Sequence, residues 1–536
     1  MSEKYDAHAY NGSERTDEIS QSSTPSEVER LQDEKRTIGT FSAAFLIFNR
    51  VVGTGIFATP ATIYRLAGST GMALMLWVIG ICIASAGMAV YLEFGTGIPH
   101  VRLCTLALEL LLTNFRNGGE KNYLEYIYRH PKFIATAFYT PYIMLLGWAG
   151  GNSVIFGQYI LLAAEVEVTR WNQRGIAMAC VTTACAIHAT NVKLGLKLQN
   201  ALGFIKVLIV LIIVIAGWAA LAGVTKLETK PDNFTNAFAG TTSDANAIVA
   251  ALYSVIWSFI GYSNANYALR ETKDPVKTLK IAAPTALAGI SIIYMFCNIA
   301  YFAGVPREQL LTSGSAVSAN FFRNVMGGPA ARALSVFVAL SAFGNVLSVV
   351  FSQARIVQEL GREGITPFHR FFSSNRPFNA PAAGLFWQWL TTSVIILTPP
   401  PGDAYSLILN MVSYPLNAVN TFVGLGLVYL YFFRREWNPP FKCSWPVALF
   451  FGLANVYLVI APLIPPTGGR TVYLELPYWL HVVIGWGIIG AGGVYYLVWV
   501  QILPRIGRYT LDRETTYDSV DGWERYHFVK RYHHQS

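Results

Sequence analysis

Charge is what this chain has least of: only 13% of its 536 residues are Asp, Glu, Lys or Arg, about half the share in ordinary soluble domains. That scarcity argues against a soluble globular protein. Cysteine is sparse too. Cys82, Cys104, Cys180, Cys185, Cys297 and Cys443 form no CxxC pair and no metal-ligand spacing, which excludes a disulfide framework or a zinc site. They read as small packing residues. His188 and His481 stand alone near the ends of apolar runs, without the convergent partners that an enzyme site needs. The net charge of +9 is scattered through short loops, not gathered on one face as in a nucleic-acid binder. No cofactor, metal or nucleic-acid partner is therefore expected.

What the chain has is apolar length. Hydrophobic residues make up 53% of it, with 13 Trp, 28 Tyr and 32 Phe; Trp and Tyr favour membrane interfaces. A bilayer core takes roughly 20 apolar helical residues. Twelve segments qualify: 40–68, 71–98, 133–164, 174–191, 195–222, 246–269, 281–305, 330–354, 381–398, 404–433, 444–464 and 479–503. No alternating short segments suggest a β-barrel. The fold class expected is an all-α polytopic membrane protein, in contact with lipid.

Residues 1–38 are polar and acidic, without a cleavable signal, and read as a disordered cytoplasmic tail. Residues 39–503 form the membrane domain and 504–536 a second cytoplasmic tail. With both termini inside, sixteen Lys and Arg between Lys121 and Lys442 fall in inner loops, against eight between Arg170 and Arg470 outside. This asymmetry fits the positive-inside rule. Asn233-Phe234-Thr235 is a glycosylation sequon in a predicted outer loop, either used or a chance triplet.

Two spans are interrupted. The first carries Arg50-Val51-Val52-Gly53-Thr54-Gly55-Ile56-Phe57 with Pro60 beyond; the sixth carries Trp257-Ser258-Phe259-Ile260-Gly261-Tyr262-Ser263-Asn264. One glycine pair alone fits close helix packing or a proline kink. Paired interruptions at corresponding positions of two five-span halves point to a transporter site. Half-helix N-termini there would face a carboxylate, and unwound carbonyls an ammonium, so the geometry suits an amino-acid zwitterion. Lys206 lies deep in the fifth span, where a charge defaults to a functional hypothesis. It reads as a proton carrier or as a fixed structural cation. Glu93, near the inner end of the second span, reads first as an ion-pair partner and second as a proton relay. Ser341, Asn345 and Ser348 share a face of the eighth span, as packing glue or as cavity lining.

The segments NRVVGTGIFATP, YLEFGTGIP, NGGEKNYLEY, LLGWAGGNSVIFGQYIL, WSFIGYSNANYAL and SAFGNVLSVVFSQARIVQELGREGITPF together resemble the amino acid–polyamine–organocation superfamily. Within it they resemble the L-type branch, and there the fungal high-affinity methionine permeases. The likeness runs from about residue 40 to 500. It implies two inverted five-helix repeats with broken helices 1 and 6, plus two extra helices. It implies that Gly53, Thr54, Gly55 and Ile56 face the substrate carboxylate, and that Phe259, Ile260 and Gly261 surround the amine. Phe259 would act as a gate, its alternative being a packed core aromatic. The resemblance places Lys206 where sodium binds in sodium-coupled cousins, and Glu120-Lys121 at an inner gate. It implies import of a neutral amino acid, methionine first, with a proton, into a fungal cell across the plasma membrane. Broader-range transport, exchange, and a non-transporting receptor are the alternatives; no accessory subunit is implied. Relatives lack residues 100–117, which read as an unspliced segment retained from the gene or as a lineage insertion. Arg270 also departs from the family pattern.

Overall fold

The computed structural model describes residues 38–98, 119–225, 227, 230–264, 266, 272–375, 377–378, 380–400, 402–517 and 524–532. The tail ending at residue 38 (Ile38 excepted), the 100–117 insertion and Arg270 lie outside the described residues.

Each of the twelve predicted segments contains helix among the described residues. The first is broken into α1 (Thr40–Val51), α2 (Gly55–Ala58) and α3 (Pro60–Ala67). Then come α4 (Thr70–Gly97), a short α5 (Gly119–Ile127), α6 (Ile134–Leu145), α7 (Gly150–Ala163), α8 (Arg170–Thr190), α9 (Val192–Leu221) and α10 (Ala245–Phe259). The second half holds α11 (Pro275–Gly304), α12 (Arg307–Thr312), α13 (Val317–Met326), α14 (Gly328–Arg362), α15 (His369–Ser373), α16 (Ala382–Leu397), α17 (Ala404–Phe433) and α18 (Trp445–Ile460). The last helix, α19 (Leu480–Tyr496), runs through a π-helical turn into α20 (Leu503–Gly507). Eight of the described runs are long and apolar enough to cross a membrane, and α10 and α16 are shorter apolar helices.

Local chemistry sets the ends. Ser69 caps α4 by accepting the Met72 N–H at 3.2 Å, and Asn191 caps α9 through Leu194 at 3.0 Å. Thr169 and Asn172 form a reciprocal capping box at α8. The predicted third span, 133–164, proves discontinuous: Leu146 is extended between α6 and α7. Gly147 explains why the chain tolerates this. A Cβ there would sit 2.7 Å from Thr392 Cα of α16, so only glycine permits the approach.

Burial sorts the helices. In α14, 72% of the apolar window is buried, against 28% for the final helix. Thus α14 is the interior post and α19 a peripheral one. On α9, Phe204, Leu208, Leu211 and Ile215 are exposed, whereas Lys206, Ile209 and Ile213 face inward. This is the division expected of a helix between lipid and bundle.

The predicted C-terminal tail contains more order than its composition suggests. Strands β1 (Tyr509–Tyr517) and β2 (Glu524–Tyr532) pair antiparallel, with Arg513 opposite Phe528. Phe528 packs against Phe133 and Trp499, at centroid distances of 4.9 and 5.0 Å. Its N–H donates to the Glu363 carbonyl at 2.9 Å. The sequon is not free for a glycan either. Asn233 is buried, and its Nδ2 donates to the Phe302 and Val305 carbonyls, both at 2.8 Å. That nitrogen is the atom a glycan would need.

Candidate functional site

The two interruptions meet at the centre of the bundle. α1 ends at Val51, and Val52 turns extended. α10 ends at Phe259; Ile260 leaves helical geometry and Gly261 takes φ +119°, a conformation that favours glycine. The approach is close. A Cβ on Gly55 would lie 2.7 Å from Ser258 Cα, and one on Gly53 would lie 1.9 Å from Asn345 Nδ2. The Tyr294 hydroxyl of α11 lies 3.0 Å from the Val51 carbonyl and 3.1 Å from the Ser258 carbonyl. It donates between the ends of both half-helices.

Beyond the first break, Thr54 precedes α2, and Thr59 continues the helical turn into α3 with its N–H on the Gly55 carbonyl. The start of such a turn leaves N–H groups without intrahelical acceptors, the anion-facing end that the sequence suggests. The Thr54 hydroxyl donates to Asn152 Oδ1 of α7 at 2.8 Å and lies 3.3 Å from the Tyr405 hydroxyl of α17. Trp257 Nε1 donates to the same Tyr405 oxygen at 3.1 Å. Spans 1, 3, 6 and 10 are thus joined through one polar chain.

Around this chain lies a cavity of about 20 Å³, bordered by Arg50, Gly53, Thr54, Trp148, Trp257 and Ile260, among others. That is room for a water and not for an amino acid, so the arrangement is a closed one. Lys206 of α9 stands behind the cavity lining, joined to it through Asn345. It is fully buried, and its ammonium donates to the Asn49 carbonyl at 2.8 Å and to Asn345 Oδ1 at 2.7 Å.

Of the residues singled out from sequence, Gly53, Thr54, Gly55 and Ile260 border the cavity, and Asn345 joins them. Ile56, Phe259 and Gly261 do not line it. Phe259 packs instead between Trp77 and Tyr294, at 6.0 and 5.2 Å. Of the two aromatics, Trp257 borders the cavity. Two residues along a helix turn roughly 200°, so the two rings face opposite sides of α10. Sequence reasoning misses Trp148, Asn152, Tyr294 and Tyr405. Trp148, Asn152 and Trp257 stand inside quoted motifs, so the sequence holds that signal, while Tyr294 and Tyr405 carry no local mark.

Glu93 lies apart from the cavity, and Lys442 is the basic residue whose charge acts on it. Its carboxylate accepts from Tyr431 Oη, Trp437 Nε1 and Cys443 N, each at 2.7 Å. It anchors the turn between α17 and α18. The inner-gate motif does find partners. Lys121 pairs with Glu363 and lies 3.9 Å from Glu125. Arg513 of β1 grips Glu125 with two bonds of 2.8 and 3.0 Å, so the hairpin closes over this cluster. Burial works against the Glu125 charge, but Lys121 and Arg513 outweigh it and hold the carboxyl below its usual range. At Glu363 burial prevails over Lys121 and pushes the carboxyl up.

With this geometry described, the relatives are informative. The family profile described as "Amino acid permease" matches residues 38–489. The high-affinity methionine permease of Saccharomyces cerevisiae is 53% identical over 486 residues, covering 90% of this chain and 82% of that protein. The low-affinity methionine permease of the same yeast is 28% identical, covering 90% and 86%. The human b(0,+)-type amino acid transporter 1 is also 28% identical, covering 86% and 89%.

Proposed function

The chain belongs to the amino acid permease family, and we propose that it imports a neutral amino acid, methionine first, by proton-coupled alternating access between its two helix breaks. Its relatives are permeases and transporters, not enzymes. The observation that carries the reading is the junction of the two breaks beside Lys206. One zwitterion needs donors for its carboxylate and acceptors for its ammonium, and the interrupted backbones offer both. The 53% identity to a methionine permease supports the choice of substrate.

On this reading Gly53, Thr54 and Gly55 meet the carboxylate, Ile260 and its neighbours meet the amine, and Trp257 swings with Tyr405 to admit or hold the side chain. Lys206 links the break to α14 through Asn345, and its protonation sets whether that link holds. Both termini face the cytoplasm, as the loop charges support, and the host membrane is the fungal plasma membrane, as the likeness to a yeast permease supports. Glu93 serves as an anchor for the inner turn.

The test is uptake of labelled amino acids by purified protein in liposomes, with and without an inward proton gradient. Gradient-driven accumulation of methionine over charged amino acids is expected. Accumulation indifferent to the gradient would overturn the coupling. Measurable binding without uptake of any amino acid would favour a receptor, and uptake only against internal amino acid would favour an exchanger.

A further inference from the structure

Residues 464–479, between α18 and α19, form a sixteen-residue segment with no regular structure. Loops of that length inside a compact domain are uncommon and are usually functional when ordered. This one crosses the end of the bundle where α3 stops and α10 begins, and it is fastened throughout. Asn246 Nδ2 donates to the Ile464 carbonyl at 2.8 Å. The Thr467 and Gly468 N–H groups both donate to Asp244 Oδ2 at 2.9 Å. Arg65 of α3 donates to the Thr471 carbonyl at 3.1 Å. The Leu474, Glu475 and Leu476 N–H groups donate to the Asp403 carboxylate at 2.6, 2.8 and 3.1 Å.

The fastening points are selective. Asp244 is the N-cap of α10 and Asp403 the N-cap of α17, and Arg65 sits near the end of α3. Each leads to the polar chain at the cavity: Trp257 lies near the far end of α10, Tyr405 lies two residues beyond Asp403 at the start of α17, and Thr54 lies in the turn before α2, which runs on into α3. Between the clasps the segment drives Tyr473 into the bundle. Its hydroxyl lies 3.0 Å from His481 Nδ1 and accepts from Asn410 Nδ2 at 3.1 Å.

The seam beneath is mixed. A second cavity of about 10 Å³ remains there, with Val249, Pro462 and Val472 beside Asn246, Asn410 and His481. Asn410 Oδ1 has no hydrogen-bond partner among the described residues. The hydrogen bonds that seat the segment can be exchanged for bonds to water, those to the two carboxylates less readily than the neutral ones. Burial opposes the charge on Asp244, but the Gly468, Asn246 and Thr467 N–H groups outweigh it and hold the carboxyl below its usual range.

We propose that residues 464–479 are a strap that holds the substrate path shut on this face, and that its release from Asp244 and Asp403 is a step in opening the path there. This rests on the transport reading above, in which this face is the outer one.

A cross-link tests it. An ideal Cβ on Gly468 lies 3.5 Å from Asp244 Cβ, within the span of a disulfide. The Asp244→Cys/Gly468→Cys protein is reconstituted and oxidised, with each single variant beside it. The bridge is expected to form and to lower uptake of external methionine at least tenfold, with reductant restoring it and neither single variant responding to oxidation. Methionine offered from the inner face should still bind to the bridged protein. Full uptake by fully bridged protein would overturn the proposal, as would failure of the bridge to form. Loss of binding from both faces would also overturn it, since a damaged site and not a closed strap would then explain the block. A second variant leaves Asp244 intact: Asp403→Asn is expected to speed hydrogen exchange at 474–476 and to raise external access to the cavity, and unchanged access would count against the strap. If the wild-type protein transports no amino acid, the transport reading fails, and bridge formation and strap exchange still report the seating of the segment.

Discussion

Replacing Gly55 by alanine tests the contact between the two breaks. The added Cβ would meet Ser258 at Cα 2.7 Å, Cβ 2.8 Å and Oγ 2.4 Å. The hydroxyl can rotate away, but the Cα belongs to the backbone of α10 and cannot. Ordinary contact would require α2 and α10 to separate by roughly 0.7 Å or more. Overpacking of this kind costs about 1–3 kcal/mol, and the gain in helix propensity returns at most about 1 kcal/mol. A net penalty of about 1–2 kcal/mol falls on the closed arrangement, a shift of about 5- to 30-fold in its population. Gly289 supplies the control: no atom lies within 4 Å of the place its Cβ would take, so Gly289→Ala should leave transport unchanged. For Gly55→Ala, saturation kinetics in liposomes should show methionine kcat/KM reduced by about 5-fold or more, together with a lower melting temperature in detergent. Wild-type kinetics and melting for Gly55→Ala would refute the claim that the breaks pack this closely in a working state.

Lys206→Met keeps the stem and removes the ammonium, leaving the Asn49 carbonyl and Asn345 Oδ1 without that donor. Each orphaned acceptor costs about 1–3 kcal/mol, so lower thermal stability is expected, and gradient-driven accumulation should vanish in liposomes. Persistence of accumulation would remove Lys206 from coupling. Acid should tighten the inner cluster before it loosens it. Glu363 is held above its ordinary value of 4.5 when the cluster is closed, so the closed form takes up the proton more readily and gains stability as pH falls through that raised range. Glu125 is held below 4.5, so its contribution, present at neutral pH, is lost only as pH falls further. Hydrogen exchange in the hairpin, corrected for intrinsic pH dependence, should slow as pH falls through the raised range of Glu363, above its ordinary 4.5, and Glu363→Gln should flatten that response. Finally, Asn233→Gln should leave electrophoretic mobility of the fungal-expressed protein unchanged, because Nδ2 is engaged inside the fold; a faster band would show a glycan.

Much of this architecture is legible from residue order because a bilayer leaves few options. Apolar runs of sufficient length must be helices, and glycine pairs within them mark where helices stop. The break in the third span is less legible. Its cause is the approach of Gly147 to Thr392, a contact between residues far apart in the chain that no local pattern announces. Trp257 and Phe259 are both aromatic and neighbours in one motif, and only the rotation of α10 decides which faces the cavity. Glu93 is a related case. A buried carboxylate suggests a cation, and the Lys442 charge acts on it, but its hydrogen bonds come from two side chains and one backbone N–H of a distant turn that no local pattern announces. The hairpin is hidden because its stability comes from Phe133, Trp499 and Glu125 elsewhere, not from strand propensity alone.

The placement of Lys206 connects the readable and unreadable parts. Its two acceptors belong to different bodies: Asn49 lies on the half-helix before the first break, and Asn345 on the buried post α14. While the ammonium is charged and seated, it ties the break to the post, and the Asn345 amide is held against Gly53, where a side chain would collide. Loss of the proton leaves an amine that can still donate but attracts the two oxygens less strongly. The tie weakens where the first span must turn. A substrate ammonium arriving at the unwound carbonyls competes for the same kind of acceptor. On the proposed proton-coupled reading, proton and amino acid act on one joint, and coupling needs no second site. This account requires the Asn345→Ala protein, which keeps Lys206 but loses the tie to α14, to bind methionine yet accumulate it poorly. Full accumulation by that variant would separate the lysine's charge from the motion of the break.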